Sequence, residues 1–187
     1  TCPNHAGDQM NGYILKPTNF DPSKRYPVVM SQYSGPGSQS VLDKWTIDWE
    51  YYLVSKGFIV ACVDGRGTGG RSRAYETSVY MQLGKLETED QVAGAEYMRT
   101  LPYVDGKHIG IYGWSYGGYE TLMAMSTSNG TYQAGVAIAP VTDWRYYDTI
   151  YAERFMRTPN ENNEGYEQSA PCLLYTSPSP RDYAASR

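Results

Sequence analysis

Two rhythms of hydrophobic and polar residues alternate along this chain. Short apolar runs bounded by turn residues are separated by longer stretches whose apolar positions recur at helical spacing. Residues 10–16 (MNGYILK) form the first short run, closed by Pro17. The turn-rich TNFDPSKRYP follows, and YPVVMSQY (26–33) reads as a strand broken by Ser34-Gly35-Pro36-Gly37. Over 43–56, Trp45, Trp49, Tyr52 and Leu53 share helical spacing, with Gly57 in the place of a C-terminal cap. FIVACVD (58–64) is continuously apolar, the mark of a strand buried on both faces.

Residues 65–86 read as a loop. Thr88-x-x-Gln91 has the form of a capping box, with Glu87, Glu89 and Asp90 suited to a helix N-terminus, so a helix is predicted from there to about Thr100. LPYVDGK then reads as a turn and HIGIYGW as a second doubly buried strand. A helix over 117–128 stops at Asn129-Gly130, YQAGVAIAP is a further strand, and a last helix is expected over 146–157. Strands alternating with helices predict right-handed βαβ units, hence an α/β fold: a mainly parallel sheet with helices on both faces.

Composition narrows the function classes. With 187 residues there is room for one domain with a sizeable core, and 41% hydrophobic against 19% charged residues is ordinary globular usage. A net charge of −4 gives no electrostatic footprint for nucleic acid. No apolar run reaches the roughly 18 residues of a membrane span. The opening TCPNHAGDQM has no initiator Met, basic n-region or apolar h-region, so the chain is expected to begin inside a longer protein. Three cysteines (Cys2, Cys62, Cys172) make no disulfide framework, and no metal or other cofactor is implied. From Cys172 the text CLLYTSPSPRDYAASR loses all periodicity. Residues 1–171 are therefore expected to form the domain, and 172–187 a disordered or non-native tail resembling translated sequencing-adapter read-through.

The chemistry concentrates in IGIYGWSYGGYETLMAM (109–125). An apolar strand runs into Gly113-Trp114-Ser115-Tyr116-Gly117 and a helix follows at once, which is the context of a serine nucleophile on a sharp strand-to-helix turn. The N–H of Tyr116, just after the serine, falls where one oxyanion-hole donor belongs. Trp144, Tyr147 and Tyr151 lie at i, i+3 and i+7; such a stripe is commonly core, but here it follows the strand after the nucleophile helix and could face the serine. A flat aromatic box suits a proline ring. Gly65-x-Gly67-x-x-Gly70 also follows a buried strand. It is not the first βα turn, carries Arg66, Arg71 and Arg73, and opens no apolar helix, so it reads as a structural turn rather than a dinucleotide loop. Both histidines, His5 and His108, precede Ser115. About five residues at ~3.3 Å each separate His108 from the turn, beyond the reach of a base.

Taken together, QYSGPGSQ, DWEYYL, VACVDGRGTG, LPYVD, GWSYGGY and APVTDWRYYDTIYAERFM resemble the catalytic domain of the dipeptidyl peptidase IV family, the prolyl oligopeptidase type of serine peptidase, with a likeness to bacterial members. The likeness runs from about residue 10 to 171. It implies an α/β-hydrolase fold cut short before its last strands, with Ser115 as nucleophile and the Tyr33 hydroxyl completing the oxyanion hole beside the Tyr116 amide. Val141, Trp144, Tyr147 and Tyr151, with the Tyr116 ring, correspond to the pocket for the residue before the scissile bond, and Tyr147 also to a contact with the substrate's free amine. The resemblance further implies peptide substrates with proline at the second position, a homodimer with a preceding β-propeller, and an extracytoplasmic (periplasmic or secreted) location. The triad Asp and His would come from chain beyond residue 171. A related acyl-hydrolase (an acylaminoacyl-peptidase or an esterase) and a non-catalytic peptide-binding hydrolase fold are the alternatives.

Overall fold

Doubly apolar FIVACVD and HIGIYGW do become the centre of the sheet. The computed structural model describes residues 1–45 and 48–174. Six strands, β1 (Cys2–Pro3), β2 (Gln9–Leu15), β3 (Tyr26–Ser31), β4 (Ile59–Asp64), β5 (Val104–Trp114) and β6 (Ala134–Ile138), form one sheet in the order β1-β2-β4-β3-β5-β6. Strands β3 to β6 pair in parallel, and β2 and β1 extend the sheet antiparallel at one side. At the other side β6 pairs with β5 alone among the described residues, matching Tyr112 with Val136 and Trp114 with Ile138.

Helices α1 (Glu50–Ser55), α2 (Arg73–Thr77), α3 (Lys85–Thr100), α4 (Tyr116–Thr127), α5 (Thr149–Met156), α6 (Asn163–Gln168) and α7 (Pro171–Leu174) complete the described fold. Alternation along β4 divides its two faces. Ile59, Ala61 and Val63 pack with Met30, Ile109 and Ile111 against Ala93, Ala95 and Met98 of α3. Tyr13 of β2, whose cross-strand partner is Cys62, donates its hydroxyl to Glu50 of α1 at 2.9 Å. A right-handed crossover that steps from β3 to β4, and then back past β3 to β5, places α1 and α3 on opposite faces. A second apolar cluster, with Val79, Leu83, Tyr119, Met123, Trp144, Met156 and Tyr166, lies beyond the C-terminal end of β5.

Several boundaries depart from the sequence reading, each for a local reason. The helix expected over 43–56 is confined to Glu50–Ser55. The Asp64 carboxylate accepts from the amides of Ser40 and Val41, at 3.1 and 2.7 Å, and holds the approach as a loop; residues 46 and 47 lie outside the described residues. The stretch 65–86 contains α2, capped by Ser72, whose hydroxyl accepts from the Tyr75 amide. Thr88 and Gln91 do not form a capping box. The helix starts three residues earlier behind Gly84 (φ 80°), and Thr88 sits inside it. Strand β5 begins at Val104, so part of the expected turn LPYVDGK is sheet.

The helix expected over 146–157 is two pieces. A 3₁₀ turn, Trp144–Tyr146, is capped by Asp143, and α5 is capped by Asp148, whose carboxylate accepts from the Tyr151 amide at 2.8 Å. Two aspartates five residues apart each offer the backbone a start, and the chain takes both. Of the expected tail, residues 172–174 form the end of α7 and 175–187 lie outside the described residues.

Candidate active site

Ser115 sits between β5 and α4 with φ 57° and ψ −114°, a conformation that a non-glycine residue adopts only when its surroundings hold it there. Here the surroundings are specific. The Ser115 amide donates to the Ile138 carbonyl at 2.9 Å. A Cβ at Gly117 would collide with the Gln32 carbonyl oxygen, so only glycine lets the helix start this close to β3. The Gln32 side-chain amide in turn donates to the Gly117 carbonyl at 2.7 Å. Tyr116, as the first helical residue, has an amide without an intrahelical acceptor, and no described residue accepts from it.

Tyr33 lies in the turn after β3 and is 40% exposed. Its ring centroid is 6.2 Å from that of Tyr116. Ser34 next to it has φ 62°, and its hydroxyl donates to Gln32 Oε1 at 3.0 Å while accepting from Gln91 Nε2 at 3.1 Å. The turn is tied to the glycine-rich loop after β4: Gly37 donates to the Gly67 carbonyl and Gly69 to the Ser38 carbonyl, both at 2.8 Å. Arg66 of that loop is occupied. Its guanidinium makes a 2.7 Å contact with the buried Asp90 of α3, and its own amide donates to the same carboxylate. The loop thus braces the Tyr33 turn.

The aromatic stripe survives the break in its helix. Trp144 is buried, its ring 5.5 Å from that of Tyr116 and stacked at 5.7 Å on Tyr151. Tyr147, 43% exposed, stands edge-on to both Trp144 and Tyr151. Val141 packs against the same cluster. The structure therefore brings Ser115, Tyr33, Tyr116, Val141, Trp144, Tyr147 and Tyr151 to one end of the sheet. Next to Tyr33 lies a cavity of about 430 Å³, lined also by Asp48, Trp49, Tyr112 and Trp114. The two histidines are elsewhere: the His108 ring contacts Asp105 at 2.7 Å and the His5 ring contacts Glu96 at 2.8 Å, both exposed.

Residues 45–180 match the prolyl oligopeptidase family of peptidases.

The chain belongs to the prolyl oligopeptidase family.

Within that family it is 46% identical over 166 residues to a "Probable dipeptidyl-aminopeptidase B" of Metarhizium robertsii, covering 88% of this chain and 18% of the relative. A protein of the same description from Ajellomyces dermatitidis is 50% identical over 157 residues, 83% of this chain and 17% of the relative. The crystal structure of Porphyromonas gingivalis dipeptidyl peptidase 4 superposes with a TM-score of 0.90 at 55% identity, over 92% of this chain and 25% of that one. The chain thus spans less than a fifth of those curated relatives and a quarter of the solved structure. The six-stranded, mostly parallel sheet with its helices is the α/β-hydrolase fold of these prolyl oligopeptidase-type enzymes.

Three features escaped the sequence reading. Gln32 and Gln91 knit the floor of the Ser115 turn, Arg66 clamps the glycine-rich loop to α3, and two buried glutamates, Glu87 and Glu120, lie under the aromatic box. Burial drives the carboxyl of Glu87 up to about 7, against the pull of helix amides and the Tyr116 hydroxyl, and drives that of Glu120 well above the usual carboxylate range.

Proposed function

We propose that this chain is the nucleophile-bearing part of the catalytic domain of a serine-type dipeptidyl peptidase. In the intact protein, the enzyme releases Xaa-Pro dipeptides from peptide N-termini. The observation that carries the reading is the forced left-handed conformation of Ser115 beside a box of Tyr116, Trp144, Tyr147 and Tyr151 rings. Ser115 Oγ attacks the carbonyl carbon of the proline residue itself, and its proton passes to a histidine contributed by another part of the protein. The developing oxyanion accepts from the Tyr116 amide and the Tyr33 hydroxyl. The new amine leaves with that proton, and water then hydrolyses the acyl-enzyme. A proline ring, flat-sided and with no N–H once acylated, loses nothing in an aromatic box and gains its apolar burial. The exposure of Tyr147, the most exposed ring of the box, supports a role in meeting the substrate's free amine.

The family relationship supports further proposals for the intact protein: a homodimer, with a β-propeller preceding this domain. Turnover of Gly-Pro-p-nitroanilide by the full-length product of the gene tests the reading, with Ser115→Ala expected to abolish it. Hydrolysis of acyl esters or acylated amino acids with no action on Gly-Pro-p-nitroanilide would instead indicate a related acyl-hydrolase.

A further inference from the structure

Two fully buried carboxyl groups, Glu87 in the first turn of α3 and Glu120 in α4, lie behind the Tyr116 ring with no cation paired to either among the described residues. Their hydrogen bonds fix where the protons must be. Thr88 Oγ1 lies 2.5 Å from the Gly84 carbonyl oxygen and 2.7 Å from Glu120 Oε1. A hydroxyl has one hydrogen to give, and a carbonyl oxygen can only accept. Two oxygens 2.5 Å apart with no hydrogen between them repel, so the Thr88 hydrogen belongs to Gly84, the usual i−4 bond of a threonine inside a helix. The 2.7 Å contact with Glu120 then needs its hydrogen from Glu120. On the other side, the Tyr116 hydroxyl lies 2.7 Å from Glu87 Oε1. Glu87 sits at the positive end of α3, which favours a negative charge there. The outer oxygens Glu87 Oε2 and Glu120 Oε2 have no partner among the described residues.

We propose that Glu120 is a neutral carboxylic acid donating to Thr88, and that Glu87 is the ionised acceptor of the Tyr116 hydroxyl, acting as the positioning residue that holds the Tyr116 ring as a wall of the proline pocket. The proposal rests on the function given above. A charge-assisted bond is roughly twice as strong as a neutral one, so protonating Glu87 slackens the ring without removing it. The other groups facing the pair are Asp90 of α3, which is paired with Arg66 but still raises both carboxyls, the phenols of Tyr116 and Tyr119 of α4, Tyr132 before β6, and Tyr151 of α5. Each phenol that burial perturbs is shifted upward, so none of them titrates near neutrality. Glu87 is left as the group of this cluster that changes charge near pH 7.

Infrared difference spectra of the full-length product of the gene test the proton assignment without using activity. At about pH 8 the C=O stretch of a buried carboxylic acid is expected in the wild type and in Glu87→Gln, and is lost in Glu120→Gln, whose side-chain amide still donates to Thr88. Absence of that band from the wild type, or its persistence in Glu120→Gln, overturns the assignment. Steady-state kinetics on Gly-Pro-p-nitroanilide test the positioning role. Between about pH 8 and about pH 6 the wild-type KM is expected to rise about fivefold. The KM of Glu87→Gln is expected to be flat at the wild type's acidic value, while the fall in kcat from the catalytic histidine is shared by both. A Glu87→Gln enzyme that keeps the wild-type rise in KM refutes the positioning role. If the infrared band behaves as expected but neither protein cleaves the substrate, the functional reading fails and the proton assignment stands.

Discussion

The Ser115 amide donates to the Ile138 carbonyl at 2.9 Å, so the strand-to-helix turn at Ser115 hangs from the last residue of β6. A Cβ on Gly118 would stand 2.6 Å from that same carbonyl oxygen. Gly118→Ala is therefore expected to push α4 off β6, at a cost of about 1–3 kcal/mol, and to slow Ser115 labelling by a fluorophosphonate. Denaturant titration and labelling rates measure the two effects. An unchanged midpoint with normal labelling would mean that the carbonyl can move aside freely.

Replacing the Tyr33 hydroxyl tests the oxyanion hole separately from the pocket. Tyr33→Phe keeps the ring that faces Tyr116 and removes one donor. The expected result is a fall in kcat of about 10²–10³ with little change in KM. A rise in KM at constant kcat would place Tyr33 in substrate binding instead.

Stability should depend on pH in a direction opposite to that of most proteins. Glu87 titrates near 7 in the fold and, like any carboxyl, well below that when unfolded, so between the two the folded chain holds the extra proton. Stability then falls as pH rises through that window, by at most roughly 3 kcal/mol for this group. Glu120, which burial also raises well above the usual carboxylate range, acts with the same sign. Urea midpoints measured from about pH 5 to about pH 8 should decline in the wild type and less steeply in Glu87→Gln. A wild-type midpoint that climbs over this range would mean that neither carboxyl is perturbed.

As a 187-residue polypeptide, the chain has no histidine after Ser115, and its two histidines are engaged with Asp105 and Glu96. Its turnover of prolyl dipeptide substrates is expected to be lower than that of the full-length enzyme by factors of about 10⁴ to 10⁶. Rapid turnover that is lost on Ser115→Ala would require a base not on this list.

Strand β6 pairs only with β5 among the described residues and shows Val136 at 55% exposure. Such an edge templates association. In the 187-residue polypeptide, Val136→Lys is expected to raise the concentration at which light scattering appears. Equal scattering by both forms would locate the sticky surface elsewhere.

The strand-and-helix alternation is legible because apolar runs and turn residues are local signals, and the place of Ser115 between a strand and a helix is legible because a glycine-flanked motif, an apolar run and a helical pattern adjoin. Other features depend on partners distant in sequence. Thr88 imitates a capping residue, yet Gly84 supplies the positive φ that starts α3, and Thr88 instead meets Glu120, 32 residues away. Glu87 does lie in the first turn of a helix, as its sequence context suggests, but its burial with Glu120 depends on the packing of α3 and α4. Trp144 and Tyr151 stack although the helix expected to align them is interrupted, because Asp143 and Asp148 restart the backbone in compatible directions. The glycine-rich loop was recognised as structural, but its load, the Tyr33 turn on one side and Asp90 on the other, is invisible in a linear text.

That double attachment has a mechanical consequence. Gly67 and Gly69 carry the turn that follows Tyr33, while Arg66 carries α3, whose Glu87 touches Tyr116. One short loop is thus a shared bracket: loosening it, as Arg66→Ala would, frees both the turn beside Tyr33 and the helix whose Glu87 holds the Tyr116 hydroxyl.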